Sequence, residues 1–167
     1  MRVAGSIGAA WSIAGITLLL GSAIERLTPR IADAFRIGLT PLMWTILGLW
    51  CLFMLVAEGY RGFQQQFAPR VAVRTWYLAQ HGGVLDLLLA PLYSVGYYHA
   101  SRRRVITSWS LTSGIVLLIV VVSHVAQPWR GIIDTGVLLG LVYGLACVYI
   151  FTARTFVRRQ PAELANE

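Results

Sequence analysis

The feature that most limits how this chain can fold is a set of long apolar runs that are almost free of charge. Residues 4–24, 41–57, 106–126 and 135–153 form four such runs, and each is apolar all round. A helix of about 20 apolar residues crosses a bilayer core of about 30 Å. Only 13% of the chain is charged, against about 25% in soluble domains. The sequence therefore predicts an all-α integral membrane helical bundle, a single domain over residues 1–167 with these runs as four firm transmembrane helices.

The central stretch, residues 58–104, differs in character from the apolar runs on either side. Residues 59–67 contain two glycines and three glutamines without a clear period, which predicts a loop or an interfacial turn. Residues 69–81 carry polar side chains on one face and apolar ones on the remaining arc, which predicts an interfacial helix in the headgroup plane. That polar face consists of Arg70, Arg74, Tyr77 and His81.

Residues 84–100 are apolar again but contain Asp86. As a helix this segment would reach about 25 Å, a little short of the bilayer core. It therefore predicts a short membrane helix that is either partly inserted or spanning. A helix here places Asp86, Tyr93 and Tyr97 on one stripe, and an ionisable side chain at membrane depth often marks a functional site. The alternative is that Asp86 lies in the first helical turn, where a carboxylate is favoured.

Glu58 and Arg61 close the second apolar run and complete the candidate polar pocket with the Asp86 stripe. The functional interpretation pairs Glu58 with an arginine of the central stretch at the mouth of a site. The structural alternative is an ordinary ion pair at the end of a membrane span. The sequence leaves both open.

The basic residues indicate what surrounds the protein. All fourteen are arginines, they outnumber the seven acidic residues, and they cluster at the ends of the apolar runs. That placement favours anionic lipid headgroups over nucleic acid as the partner. The predicted headgroup or anion contacts are Arg70, Arg74, His81, Arg102, Arg103 and Arg104. The absence of lysine is typical of GC-rich coding DNA, which points to a bacterial cytoplasmic (inner) membrane.

Two topologies fit the rule that positive charge lies inside. With four spans and residues 84–100 not crossing, the amino terminus is inside, with ten arginines inside and four outside. With five spans the amino terminus is outside, and the counts are nine and five. Four spans with a partly inserted central segment are the preferred prediction. Both topologies place the carboxyl terminus in the cytoplasm.

The clearest packing motif is the glycine face formed by Gly136, Gly140 and Gly144 in the last run. Glycines at four-residue spacing let membrane helices approach closely, so this face predicts a contact within the bundle, with a protein partner, or in a homo-oligomer. The three histidines do not pair at one membrane depth, and no acid–histidine cluster has metal-ligand spacing. We therefore expect no metal and no cofactor.

Three functions remain open on this sequence. Strong packing faces without a catalytic motif favour a multi-pass accessory or interaction subunit with no catalysis of its own. A second hypothesis is a small transporter or channel for an anion or a proton, centred on Asp86, Tyr93 and Tyr97. A third is a lipid- or quinone-handling membrane enzyme that uses the interfacial helix as its entrance.

Overall fold

The computed structural model describes residues 3–81, 88–97 and 102–158, and within them the secondary structure is entirely helical. The elements are α1 (Val3–Ile37), α2 (Pro41–Met54), a π-helical segment (Leu55–Phe67, hereafter the π segment), α3 (Ala68–His81), α4 (Ala90–Val95), α5 (Arg102–Ser123) and α6 (Trp129–Arg158). The predicted all-α class is confirmed. Three helices are long and apolar enough to cross a membrane: Gly5–Ile37, Pro41–His81 and Trp129–Arg158.

The second of these helices is one continuous rod built from α2, the π segment and α3. It begins where the sequence predicts, because the Thr40 hydroxyl accepts a hydrogen bond from the Met43 amide (3.4 Å) and Pro41 follows as the first helical residue. The predicted loop over residues 59–67 is wrong, since these residues form part of the π segment. The predicted helix over 69–81 is present as α3, but it continues the same rod rather than standing alone.

Contacts between the three long helices fix their relative directions. α1 runs antiparallel to α3, because Gly5 lies against Ala79 and Ser12 contacts Thr75. α6 is antiparallel to α1 as well, because the Thr17 and Tyr149 hydroxyls are 2.8 Å apart while Ala34 lies against Gly131. It is therefore parallel to the rod formed by α2, the π segment and α3.

The core lies where α1, α3 and α6 meet. Its buried members are Ile16, Leu20, Ala68, Val71, Cys147 and Val148. The apolar side of α3 is thus covered by protein. Its polar side remains open, since Arg70, Tyr77 and His81 are exposed, which agrees with the amphipathic pattern in the sequence.

α5 corresponds to the predicted span over residues 106–126, but its apolar part, Thr112–Ser123, is shorter than the three long helices. The side chains from Ile115 to Val121 are all exposed, at 48–64% of their full area. Three spans therefore follow from length and composition. The fourth remains a prediction.

Candidate functional site

The π segment is the most unusual element of the fold, and it carries one acidic, one basic and three glutamine side chains within a helix that is long and apolar enough to span a membrane. Its thirteen residues, LVAEGYRGFQQQF, form i→i+5 hydrogen bonds. π-helical turns are rare and occur frequently at functional sites. Here the segment packs against α6 and presents polar side chains on two opposite sides, one facing α6 and one exposed.

The inward side begins with Glu58, which faces Gly140 of α6. A Cβ atom on Gly140 would lie 2.9 Å from Glu58 Oε2, so glycine at this position makes room for the carboxyl group. Oε2 is buried and has no hydrogen-bond partner among the described residues. Glu58 also forms no ion pair with Arg61, which is exposed. Glu58 is half-buried, and its Oε2 oxygen lies inside the protein without a hydrogen bond or an ion pair to any described residue.

Tyr143 completes the inward side. Its ring lies across Gly59, where a Cβ atom would be 3.0 Å from Tyr143 Cδ1. Its hydroxyl donates a hydrogen bond to Gln64 Oε1. Gly59 and Gln64 are five residues apart, as expected for side chains that share one side of a π helix. Sequence reasoning missed Tyr143 and Gln64. The five-residue spacing from Gly59 could have found Gln64, whereas no local signal marks Tyr143, which lies on α6.

The predicted glycine face is filled from within the chain. The Trp50 ring lies against Gly136 and donates to the Ile133 carbonyl oxygen (3.1 Å). The Phe63 ring covers Gly144 in the same way. This face therefore packs the bundle itself.

The outward side of the π segment is a polar strip. Its exposed residues are Tyr60, Arg61, Gln65 and Gln66, and Arg70 continues the strip into α3. These residues recur at five-residue spacing, at 60, 65 and 70 and again at 61 and 66. The strip lies at the level of Gly140 and Gly144, which are in the middle of the apolar run 135–153 of α6.

A second polar cluster joins α1, α3 and α4. The Ser12 hydroxyl donates to Ser94 Oγ (2.6 Å), and the Thr75 hydroxyl lies 3.3 Å from each of these oxygens. All three side chains are buried. Three hydroxyl groups satisfy one another here, so the cluster fixes α4 on the bundle. Sequence reasoning did not identify it, because its members are 19 to 82 residues apart in the chain.

The candidate tyrosine stripe makes contacts with two different elements. The Arg74 guanidinium lies over the Tyr93 ring, 4.4 Å from its centroid, in cation–π geometry. Tyr97 instead contacts α5, where its hydroxyl bonds to Thr112 Oγ1 and its ring meets Trp109 edge-on. Asp86, the third member of the stripe, lies outside the described residues. Glu58 is sixteen residues before Arg74 on the same rod, roughly 20 Å away along its axis.

Four of the six residues predicted to contact headgroups or anions have described side chains. Arg70, His81 and Arg102 are exposed, whereas Arg74 is half-buried beneath Tyr93. His81 stacks on Tyr77 with ring centroids 4.7 Å apart. The side chains of Arg103 and Arg104 lie outside the described residues.

An ion pair lies in the first turns of α6. Arg130 Nε is 3.8 Å from Asp134 Oδ2, and Asp134 is only 4% exposed. Arg30 of α1 also acts electrostatically on Asp134. Across the described ranges, no group of three histidine, cysteine or acidic side chains lies close enough to hold a metal ion.

Comparison with known proteins finds no matching family profile, no matching curated protein and no matching solved structure. A function is therefore inferred from the geometry of the π segment.

Proposed function

We propose that this chain is a four-span protein of the bacterial cytoplasmic membrane, with both termini in the cytoplasm, and that it serves as an accessory subunit for another membrane protein. The helix directions support the four-span topology. α4 packs near the amino-terminal half of α1, since Pro91 lies against Gly15, whereas α5 ends beside the start of α6 at the opposite end of the bundle. α5 has 22 residues and is about 33 Å long, enough to cross the bilayer core.

Labelling from outside the cell tests the topology. In a variant with Cys51 and Cys147 replaced by alanine, a cysteine at Thr28 should react with an impermeant maleimide in intact cells. A cysteine at Val157, which is 82% exposed, should react only after permeabilisation. A Thr28 site that is silent in intact cells but reactive after permeabilisation would support five spans instead.

The observation that carries the accessory role is the exposed polar strip on the π segment. In a spanning arrangement the strip lies near the middle of the bilayer, because it is level with the middle of the apolar run of α6. Charged and amide side chains at that depth are costly in contact with lipid, and they normally face protein or water. A partner helix would relieve that cost.

The chemistry of the strip defines the partner. Arg61 offers guanidinium donors, and Gln65 and Gln66 each offer an amide donor and an acceptor. The complementary surface is a membrane helix that carries a carboxylate or free carbonyl oxygens at the same depth. Interhelical hydrogen bonds of this kind stabilise membrane complexes by about 1 kcal/mol each.

Site-specific cross-linking combined with native mass spectrometry tests this function. A photo-reactive residue at Gln65 should form a cross-link to one protein at fixed stoichiometry, and Arg61→Ala should abolish the co-purified complex. The matched control is Leu118→Ala on the exposed apolar surface of α5, which should leave the complex intact. Loss of the complex in the control alone, or a cross-link only to a second copy of this chain, would contradict the proposal.

The transporter hypothesis gains support from the same strip, because arginine and glutamine side chains could also line a water-filled path for an anion. A cysteine at Gln65 separates the two functions. Rapid reaction with an impermeant aqueous thiol reagent would indicate a water path, and protection would indicate an interface. The lipid- or quinone-handling enzyme stays a third hypothesis, and it predicts loss of turnover in Arg70→Ala or His81→Ala, two residues that are exposed on α3.

A further inference from the structure

We infer that Glu58 is a proton-binding site within the bilayer, carried on the inward side of the π segment. The site is independent of the proposed partner surface, because Glu58 faces α6 whereas the polar strip faces away from it. Its ligand is the proton itself, held on the carboxyl group against Gly140.

An ionised Glu58 would be unfavourable at this position. An ionised carboxylate removed from water needs an opposite charge or hydrogen-bond donors, and without them its burial is strongly unfavourable. Glu58 Oε2 is buried beside Gly140, which has no side chain and whose amide hydrogen is taken up within the α6 helix. The described residues therefore provide neither a charge nor a donor at this oxygen, and a neutral carboxylic acid is the form that fits.

The charged and titratable groups around the site agree with this assignment. α6 is the separate helix that packs against the π segment, and it directs Tyr143 and Cys147 toward this region. The Tyr143 hydroxyl donates to Gln64 rather than to Glu58. On the π segment itself, Tyr60 and Arg61 are exposed on the opposite side. None of these groups forms an ion pair with the Glu58 carboxylate.

A second acidic residue shows the contrast. Asp134 is also buried in α6, but Arg130 lies 3.8 Å from it and Arg30 is near. Arg130 thus supplies Asp134 with an opposite charge, although Asp134 Oδ2 also lacks a hydrogen bond, whereas no cation among the described residues pairs with Glu58. The two acids therefore differ in their charge partner, and the unpaired one, Glu58, is the one that we assign as neutral.

Labelling with an apolar carbodiimide tests the inference. Such a reagent partitions into the bilayer and reacts with a protonated carboxyl group: the acid proton moves to one nitrogen, the carboxyl oxygen adds to the central carbon, and rearrangement gives a stable N-acylurea with no leaving group. In membranes containing the intact protein, the peptide carrying Glu58 should gain the mass of the reagent. The peptide carrying Asp134 should not, and Glu58→Gln should abolish the modification.

Two further variants show whether an absence of labelling at Glu58 contradicts the inference. Val56→Glu in the Glu58→Gln background places a carboxyl group on the exposed side of the π segment and shows that the reagent reaches this depth. Glu58→Gln should also keep the thermal midpoint of the wild type, because the amide resembles the neutral acid in shape. An unlabelled Glu58 with a labelled Val56→Glu control, or a marked loss of stability in Glu58→Gln, would overturn the assignment.

Discussion

Replacing Gly144 with alanine should weaken the packing of α6 against the π segment. A Cβ atom at this position would lie 2.7 Å from Phe63 Cδ2 and closer still to two other atoms of the ring. Ordinary carbon–carbon contacts are about 3.5–4.0 Å. The Phe63 ring would therefore have to retreat by about 1 Å. It has little freedom to do so, because it also packs edge-on against Phe67 in the core.

The expected cost follows from the size of that displacement. Forcing an extra methyl group into a packed interior typically costs about 1–3 kcal/mol. Gly48→Ala is the matched control, because Gly48 lies in the interior of α2 and a Cβ there would meet no atom within 4 Å. That control should gain up to about 1 kcal/mol from helix propensity. The two variants should therefore differ by about 1–4 kcal/mol in the free energy of unfolding.

Titration of the purified protein with sodium dodecyl sulphate in a mild detergent, followed by circular dichroism, measures this difference. About 1–4 kcal/mol corresponds to a change of roughly fivefold or more in the unfolding equilibrium constant. Gly144→Ala should unfold at a lower mole fraction of dodecyl sulphate than the wild type, and Gly48→Ala should not. Identical unfolding of the two variants would refute the contact between Gly144 and Phe63.

Three smaller perturbations follow from the same structure. Gly140→Ala should be milder than Gly144→Ala, because its methyl group meets the flexible end of Glu58 rather than a ring; equal losses in the same titration would contradict this. Ser94→Ala should cost about 1 kcal/mol by removing one hydroxyl from the buried cluster, and hydrogen exchange should rise over α4. Arg130→Ala should cost about 3 kcal/mol because Asp134 remains buried without its partner, and the double variant Arg130→Met/Asp134→Leu should recover most of that loss of thermal stability.

Hydrophobic runs and helix caps were readable from the sequence because both depend on neighbouring residues. The apolar run that begins at Pro41 correctly predicted the start of α2, and the Thr40 side chain caps that start. The amphipathic pattern of residues 69–81 likewise matched α3 within one residue at its start. Such signals repeat every three to four residues or lie within one turn, so they need no knowledge of the partner helices.

The π segment could not be found with an α-helical period. In an α helix, residues five apart are separated by about 140° around the axis, at 100° per residue. Glu58 and Phe63 then appear to face different directions, and the stretch has no apolar side. With i→i+5 hydrogen bonding both residues face α6, and the polar residues between them form the exposed strip. The same residues therefore predict a loop when an α-helical period is assumed, and a helix with two polar sides when a π-helical period is assumed.

Long-range clusters were missed for a different reason. Ser12, Thr75 and Ser94 are ordinary polar residues in their local contexts, and only the antiparallel packing of α1 on α3 brings them together. The candidate pocket made the opposite error by grouping residues that are close in sequence. Tyr93 and Tyr97 are four apart, yet Gly96 ends α4 between them with a φ of 98°, so their side chains reach α3 and α5 respectively.

The π geometry also explains how one helix can carry both proposed sites. A polar residue on an α-helical span costs free energy wherever it faces lipid, so two polar strips on opposite sides would normally exclude the helix from the bilayer. In the π segment the inward strip is covered by α6, because Gly140 and Gly59 leave space for Glu58 and Tyr143. Only the outward strip then needs a partner or water. The glycines predicted to form a docking face thus shelter polar residues of this chain, and the proposed partner surface is the one that carries Arg61.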